Sequence, residues 1–207
     1  MNNKLTPKRY SRKEIQEKSD EFRAKFVLPI DIIPVPIEEI IEFKLGLSID
    51  PVPGLVKHSD VKGYLSYNLQ TIFVDQERYE NPKFENRLRF TYAHEVGHFY
   101  LHPEEYKNLK ISNPEEWYEF NRQLKENSSS LEWFEWQANE FAGQLLVPRD
   151  RLKTLLEGEK KNINHFRRTF PSQEELLLES VSTAICKHFG VSMETIKGII
   201  RIDRIEF

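Results

Sequence analysis

Cysteine is almost missing from this chain: Cys186 is the single thiol among 207 residues, so no internal disulfide can brace the fold. That composition suits a reducing compartment, and a lone cysteine is ordinarily a small buried apolar residue. No sign of charge predominates. Thirty basic and 33 acidic residues leave a formal net charge of −3, which argues against a broad basic surface for nucleic acid but leaves room for a local patch. Long apolar runs are lacking too. The basic start (Lys4, Lys8, Arg9, Arg12, Lys13) leads into polar, helix-like sequence, so no secretory leader is expected. The run from Phe26 to Ile37 is too short to span a bilayer and is interrupted by Pro29, Asp31, Pro34 and Pro36. The expectation is a cytoplasmic protein with no membrane attachment.

What is present is enough apolar and aromatic surface for a core: 39% hydrophobic residues, with 14 Phe, 8 Tyr and 3 Trp. The length suits one sizeable domain with a small helical appendage. Residues 11–27 place Ile15, Phe22 and Phe26 at helical spacing, and Pro29 stops that helix. A second helix is expected from near Pro36 to Gly46, with Ile37, Ile40, Ile41 and Leu45 on one face. Short β-like pieces follow at Leu47 to Ile49, Gly63 to Tyr67 and Thr71 to Val74, making a small sheet. Helical spacing returns from Phe84 to Leu101, ended by Pro103. Residues 103–130, with the Ser128-Ser129-Ser130 run, read as a connection carrying a short helix around Trp117. A helix is expected from Leu131 to Leu146, then charged loops alternating with helices near 172–189 and 192–201, joined by Gly190.

The strongest chemical signal is His94-Glu95-Val96-Gly97-His98, a His-Glu-x-x-His pentapeptide inside an expected helix. Residues four apart lie about 40° round a helix and about 6 Å along it, so both imidazoles can converge on one metal. Glu95 does not compete for coordination and can take a proton from a water held at the site. A third ligand has two sources. His102 is eight residues beyond His94, about 12 Å along the axis and about 80° round, too far for one metal to reach both on a straight helix. It reads instead as a capping or supporting residue near the helix end, or as a surface histidine. The later helix offers Glu132, Glu135 and Glu140. Periodicity turns Trp133, Phe134, Ala138, Phe141, Ala142, Leu145 and Leu146 inward, with Glu135 and Asn139 on a stripe at the margin, where a ligand carboxylate would lie. Asn139, one turn after Glu135, could then hydrogen-bond a metal-binding histidine.

Three blocks resemble the ImmA/IrrE family of bacterial metallopeptidases: Arg89 to His98 with Leu101-His102, then Glu135-Trp136-Gln137-Ala138-Asn139-Glu140-Phe141-Ala142, then Leu145-Leu146-Val147-Pro148. The likeness runs roughly from Ile30 to Pro148. It implies an α+β, zincin-like fold, with a small three-stranded sheet packed on an active-site helix and a C-terminal helical, helix-turn-helix-like region. The division expected is an N-terminal helix at 1–28, a zincin-like metallopeptidase domain at 29–157 and the helical region at 158–207. The resemblance further implies a gluzincin ligand set of His94, His98 and Glu135 around zinc, with manganese or iron as other possible occupants, and Glu95 as general base. Family members cut helix-turn-helix repressors, freeing genes of mobile elements or of stress responses, so a zinc endopeptidase acting on such a regulatory protein is expected. The alternative is a metal-binding regulatory protein that holds a repressor or DNA without proteolysis. Thr71, Ile72, Phe73 and Val74 are expected as an edge strand that pairs with substrate backbone.

The tail from Val181 to Lys197 has helix, Gly turn and helix at helix-turn-helix spacing, and Lys197, Arg201 and Arg204 could face DNA. Met193 and Glu194 open its second helix where base contacts would be made, which favours a packing or substrate-docking role over DNA reading.

Overall fold

A computed structural model describes residues 8–109, 113–125 and 129–207. Lys4 of the basic start, and residues 110–112 and 126–128 of the expected connection, lie outside the described residues. The elements in chain order are α1 (Arg12–Phe26), α2 (Ile37–Glu39, running into a π-turn at Ile40–Lys44), β1 (Ser48–Val52), α3 (Leu55–Ser59), β2 (Gly63–Leu65), β3 (Thr71–Asp75) and α4 (Gln76–Glu80). They continue as α5 (Glu85–Leu101), α6 (Pro103–Leu109), α7 (Pro114–Lys125), α8 (Ser129–Leu146), α9 (Arg149–Thr169), α10 (Glu174–Phe189) and α11 (Met193–Ile202). This is an α+β, zincin-like arrangement: a small mixed sheet beside long helices, with helices to the C-terminus.

Local chemistry accounts for the main boundaries. Ser11 opens α1 through a capping box, its hydroxyl accepting from the Glu14 N–H while the Glu14 carboxylate accepts from the Ser11 N–H. Ile15, Ser19 and Phe22 form the buried stripe of α1, which lies along α8, where Phe22 meets Phe141 edge-on at 5.6 Å. Gly190, at φ 60°, closes α10 in the left-handed conformation that glycine adopts without strain, and Ser192 caps α11 by accepting from the Thr195 N–H.

The sheet order is β1-β3-β2, with β1 parallel to β3 and β2 antiparallel to it. Thr71 to Val74 therefore do not form an edge strand: β3 is central and its backbone groups are taken on both sides. β1 and β2 are the two edges, and β2 is the one that lies against α5. Its Lys62 C=O accepts from the Asp75 N–H and its Ser66 N–H donates to the Thr71 C=O, so the alternation of an antiparallel ladder turns the Gly63 and Leu65 backbone groups away from β3.

Two further expectations need correction. Residues 149–169, read as charged loop, form the 21-residue α9, because Leu152, Leu156 and Ile163 share one face and bury themselves under a coat of charge. The stretch 103–130, read as a connection with one short helix, carries both α6 and α7 among its described residues.

The helices are pinned to one another by arginine and lysine side chains. Arg89 of α5 donates to the Gly190 C=O at 3.0 Å and the Val35 C=O at 2.6 Å, tying the α10–α11 turn to the central helix. Asp203 receives Arg12 on one oxygen at 3.1 Å and Arg149 on the other at 2.5 Å, joining α1, α9 and the end of α11. Lys197 of α11 pairs with Glu175 and Glu179 of α10 at 2.5 and 2.7 Å, and Arg201 pairs with Glu175, so two of the cations considered for DNA are bound to neighbouring carboxylates. Among the described residues no helix is long and apolar enough to cross a membrane.

Candidate metal centre

The centre is built where α5 and α8 cross. Gly97 makes the crossing close: a Cβ there would stand 3.1 Å from the Ala138 carbonyl oxygen and 3.2 Å from its Cα. His98 follows Gly97 by one residue, and Glu135 precedes Ala138 by almost one turn, so this contact sets how near the carboxylate comes to the imidazoles.

His94, His98 and Glu135 offer ligand atoms that all lie within 4.8 Å of one another. His94 Nε2 is 3.0 Å from His98 Nε2, and the Glu135 oxygens are 3.2 Å from the first and 3.5 Å from the second. A tetrahedral ion with ligand bonds near 2.1 Å has ligand edges of about 3.4 Å, so the three donor atoms stand close to the spacing that such an ion needs. Glu132 is exposed, and Glu140 points toward α1, where Arg12 binds it at 3.0 Å.

The supporting contacts differ for the two histidines. His94 Nδ1 lies 3.0 Å from Asn139 Oδ1, an oxygen that only accepts, so the imidazole donates from Nδ1 and turns Nε2 toward the centre. His102, the C-cap of α5, is fully buried and not a surface residue; its Nδ1 sits 3.1 Å from His98 Nδ1. Behind it stands Gln137, whose Nε2 is 3.2 Å from His102 Nε2 and whose Oε1 accepts from the Tyr10 N–H at 2.7 Å. Gln137 is fully buried, and nothing in the pattern of its own helix assigns it this role. Its partners lie 127 and 35 residues away along the chain, and no local pattern joins them.

The electrostatics separate the groups. Burial would lower the His94 imidazole, but hydrogen bonding to Glu135 and its charge outweigh that and raise it to about 9. Burial dominates at His98, which falls to about 4, and at His102, which falls to about 2 with the His98 ring beside it. For Glu135 burial is opposed and exceeded by the two imidazoles, which hold it well below the usual carboxylate range. Glu95 is pushed up to about 7, chiefly by burial, although the Leu65 N–H bonds to it and the neighbouring His94 opposes the rise. Its Oε2 is buried with no hydrogen-bond partner.

That unpartnered oxygen is significant because a buried acceptor without a donor is costly unless something arrives to satisfy it. In front of it opens a cavity of about 310 Å³ whose walls include Gly63 of the β2 edge, Thr91, Trp117, Glu135 and Asn139. At Gly63 the edge strand nearly touches α5: a Cβ would stand 2.7 Å from Thr91 Cγ2. Neither Gly63 nor Trp117 was singled out in the sequence as part of the site. The Tyr106 ring packs 5.3 Å from the His98 ring, and its hydroxyl is also buried without a partner.

A family model described as the IrrE N-terminal-like domain of the M78 peptidases matches residues 79–198, which include every residue of the three-donor set. No curated protein matches the chain.

Proposed function

Because the chain belongs to the IrrE N-terminal-like family of M78 metallopeptidases, we propose that it is a zinc-dependent endopeptidase that cleaves a regulatory protein, with a helix-turn-helix repressor as its substrate. The observation that carries this reading is the free Glu95 oxygen, buried beside two imidazoles and a carboxylate in a cavity open to a strand edge. His94, His98 and Glu135 would hold the ion; two imidazoles and one carboxylate suit zinc, with manganese or iron as other candidates. When bound, such an ion supplies Lewis acidity to the attacking water and the scissile carbonyl.

The chain's own residues supply the rest. Glu95, with its pKa raised to about 7, stands at the proton affinity that a general base needs near neutrality: it takes the proton from the attacking water and returns it to the departing amine. The outward backbone groups of Gly63 can pair with the extended substrate, taking the role expected of Thr71 to Val74. Asn139 holds the His94 ring in the orientation that aims Nε2 inward.

The second reading, a metal-binding regulator without proteolysis, would be favoured by a fourth protein ligand. Among the described residues the donor group contains three, and His102 meets His98 on the nitrogen facing away from the centre. The repressor as substrate follows from the likeness to ImmA/IrrE proteins. It is tested by incubating the zinc-loaded protein with the helix-turn-helix protein encoded nearest to it: one discrete cut is expected. Glu95→Gln should retain zinc by elemental analysis and lose cleavage by at least about a thousandfold. Undiminished cleavage by that variant would reject the assignment of the base.

A further inference from the structure

A second cavity of about 290 Å³ adjoins the metal cavity, and Lys62, Phe90 and Thr91 line both. Its other walls bring together Arg78 of α4, Arg87 of α5, and Ser192 and Thr195 at the start of α11. Resting on the peptidase reading of the adjoining centre, we propose that this cavity is a substrate subsite that selects an acidic side chain, aspartate or glutamate, on the peptide to be cut.

Among the described residues none of the three cations, Lys62, Arg78 and Arg87, has a carboxylate within ion-pair distance, whereas Arg12, Arg149, Arg151, Lys197 and Arg201 each do. The neighbouring carboxylates are engaged elsewhere or stand apart: the Asp75 oxygens accept from the Val56 and Arg78 N–H groups, and Glu194 feels the charge of Arg87 without forming an ion pair with it. Asp60 lines the metal cavity, not this one. Arg78 is also held in place, its guanidinium 4.9 Å over the Phe84 ring. The first turn of the ten-residue α11, capped by Ser192, also faces this wall, and there the favourable end of the helix dipole is shared with the Glu194 carboxylate, which is hydrogen-bonded to Ser192.

The position of the subsite follows from α5. Arg87 and His94 are seven residues apart, two turns, or about 10 Å along the axis. An extended peptide advances roughly 3.3 Å per residue, so the acidic residue would lie about three positions from the bond that is cut. A nucleic-acid phosphate could satisfy the same cations. A peptide is favoured because the cavity shares its wall with the metal centre and because Lys197 and Arg201, which would have to extend the contact along DNA, are bound to Glu175 and Glu179.

The test uses the full chain, zinc-loaded and carrying Glu95→Gln, so that binding is read apart from turnover. Fluorescence anisotropy is measured for labelled decapeptides identical except for glutamate, glutamine or lysine at one position, stepped from two to four residues on either side of the centre. At one spacing the glutamate peptide should bind about tenfold more tightly than the glutamine peptide, an advantage that shrinks with added salt. Arg87→Glu, and independently Lys62→Glu, should reverse the preference toward lysine with zinc content unchanged. Equal binding of glutamate and glutamine peptides at every spacing, or no binding at all, overturns the subsite. So does a preference insensitive to both reversals, or tight binding of a DNA duplex that Arg87→Glu abolishes. The peptidase reading fails separately: the protein with Glu95 intact would cut none of these peptides, nor the neighbouring repressor, while the anisotropy still reports on the subsite.

Discussion

At the scale of single residues the centre depends on hydrogen positions as much as on ligand positions. The Tyr10 N–H fixes the Gln137 oxygen, so the Gln137 amide group donates to His102 Nε2 and His102 must donate from Nδ1 to His98. His98 then carries its own hydrogen on Nε2, which faces His94 Nε2 at 3.0 Å and Glu135 at 3.5 Å. In the metal-free protein, hydrogens stand where an ion would bind, and binding requires the relay to shift. Gln137→Glu gives the Tyr10 N–H and a His102 Nε2–H one carboxylate oxygen each, the arrangement that frees His98 Nε2. Gln137→Leu removes the relay's anchor. The expected outcome is zinc affinity lowered about tenfold in Gln137→Leu and kept or raised in Gln137→Glu, measured by competition with a chromophoric chelator. Equal affinities in both variants would mean that the relay does not orient His98.

At the scale of elements the decisive feature is the closeness of α5 and α8. Gly97→Val places two methyl groups against the Ala138 backbone, which cannot yield as a flexible side chain would. The helices must separate, and Glu135 with them. A drop in zinc affinity of at least about tenfold is expected, together with a lower melting temperature. Gly158 in α9 provides the contrast: nothing lies within 4 Å of a Cβ there, so Gly158→Ala should raise stability by about 0.5–1 kcal/mol with zinc affinity unchanged. Elements were legible in the sequence where one periodicity carried the information. His94, Glu95 and His98 share a single helix, and the apolar stripe of α8 set Glu135 at its margin. What the sequence did not disclose depends on partners far away. Strand order is not encoded in a strand's own pattern: β3 alternates burial through Ile72 and Val74 as a one-sided edge strand would, yet lies in the centre. In α9 three buried apolar side chains were hidden among many charges, because short-range composition outweighed a spacing visible only over the helix's full length.

At the scale of the molecule the titrating groups make metal-free stability a peaked function of pH. His98 and His102 have folded values of about 4 and about 2, below the ordinary 6.5. Their contribution is complete above 6.5 and is lost as the pH falls, because the unfolded chain takes up protons that the folded one refuses. Glu95, raised from 4.5 to about 7, acts in the opposite sense between those values, but one carboxyl offsets only one of the two imidazoles. His94 shapes the alkaline side. With a folded value of about 9, its stabilisation by Glu135 is complete below 6.5 and is lost as the pH rises through 9. The melting temperature of the metal-free protein should therefore peak near pH 6.5 and fall on both sides. Saturating zinc displaces the protons that His94 and His98 share with Glu135, so it should raise the melting temperature and flatten the alkaline limb, as a ligand that binds only the folded state does. Differential scanning calorimetry from pH 5 to 9.5, with and without zinc, measures both effects. A metal-free profile that stays level from pH 6.5 to 9 would show that Glu135 does not hold a proton on His94, and would remove the electrostatic coupling on which the three-donor centre is built.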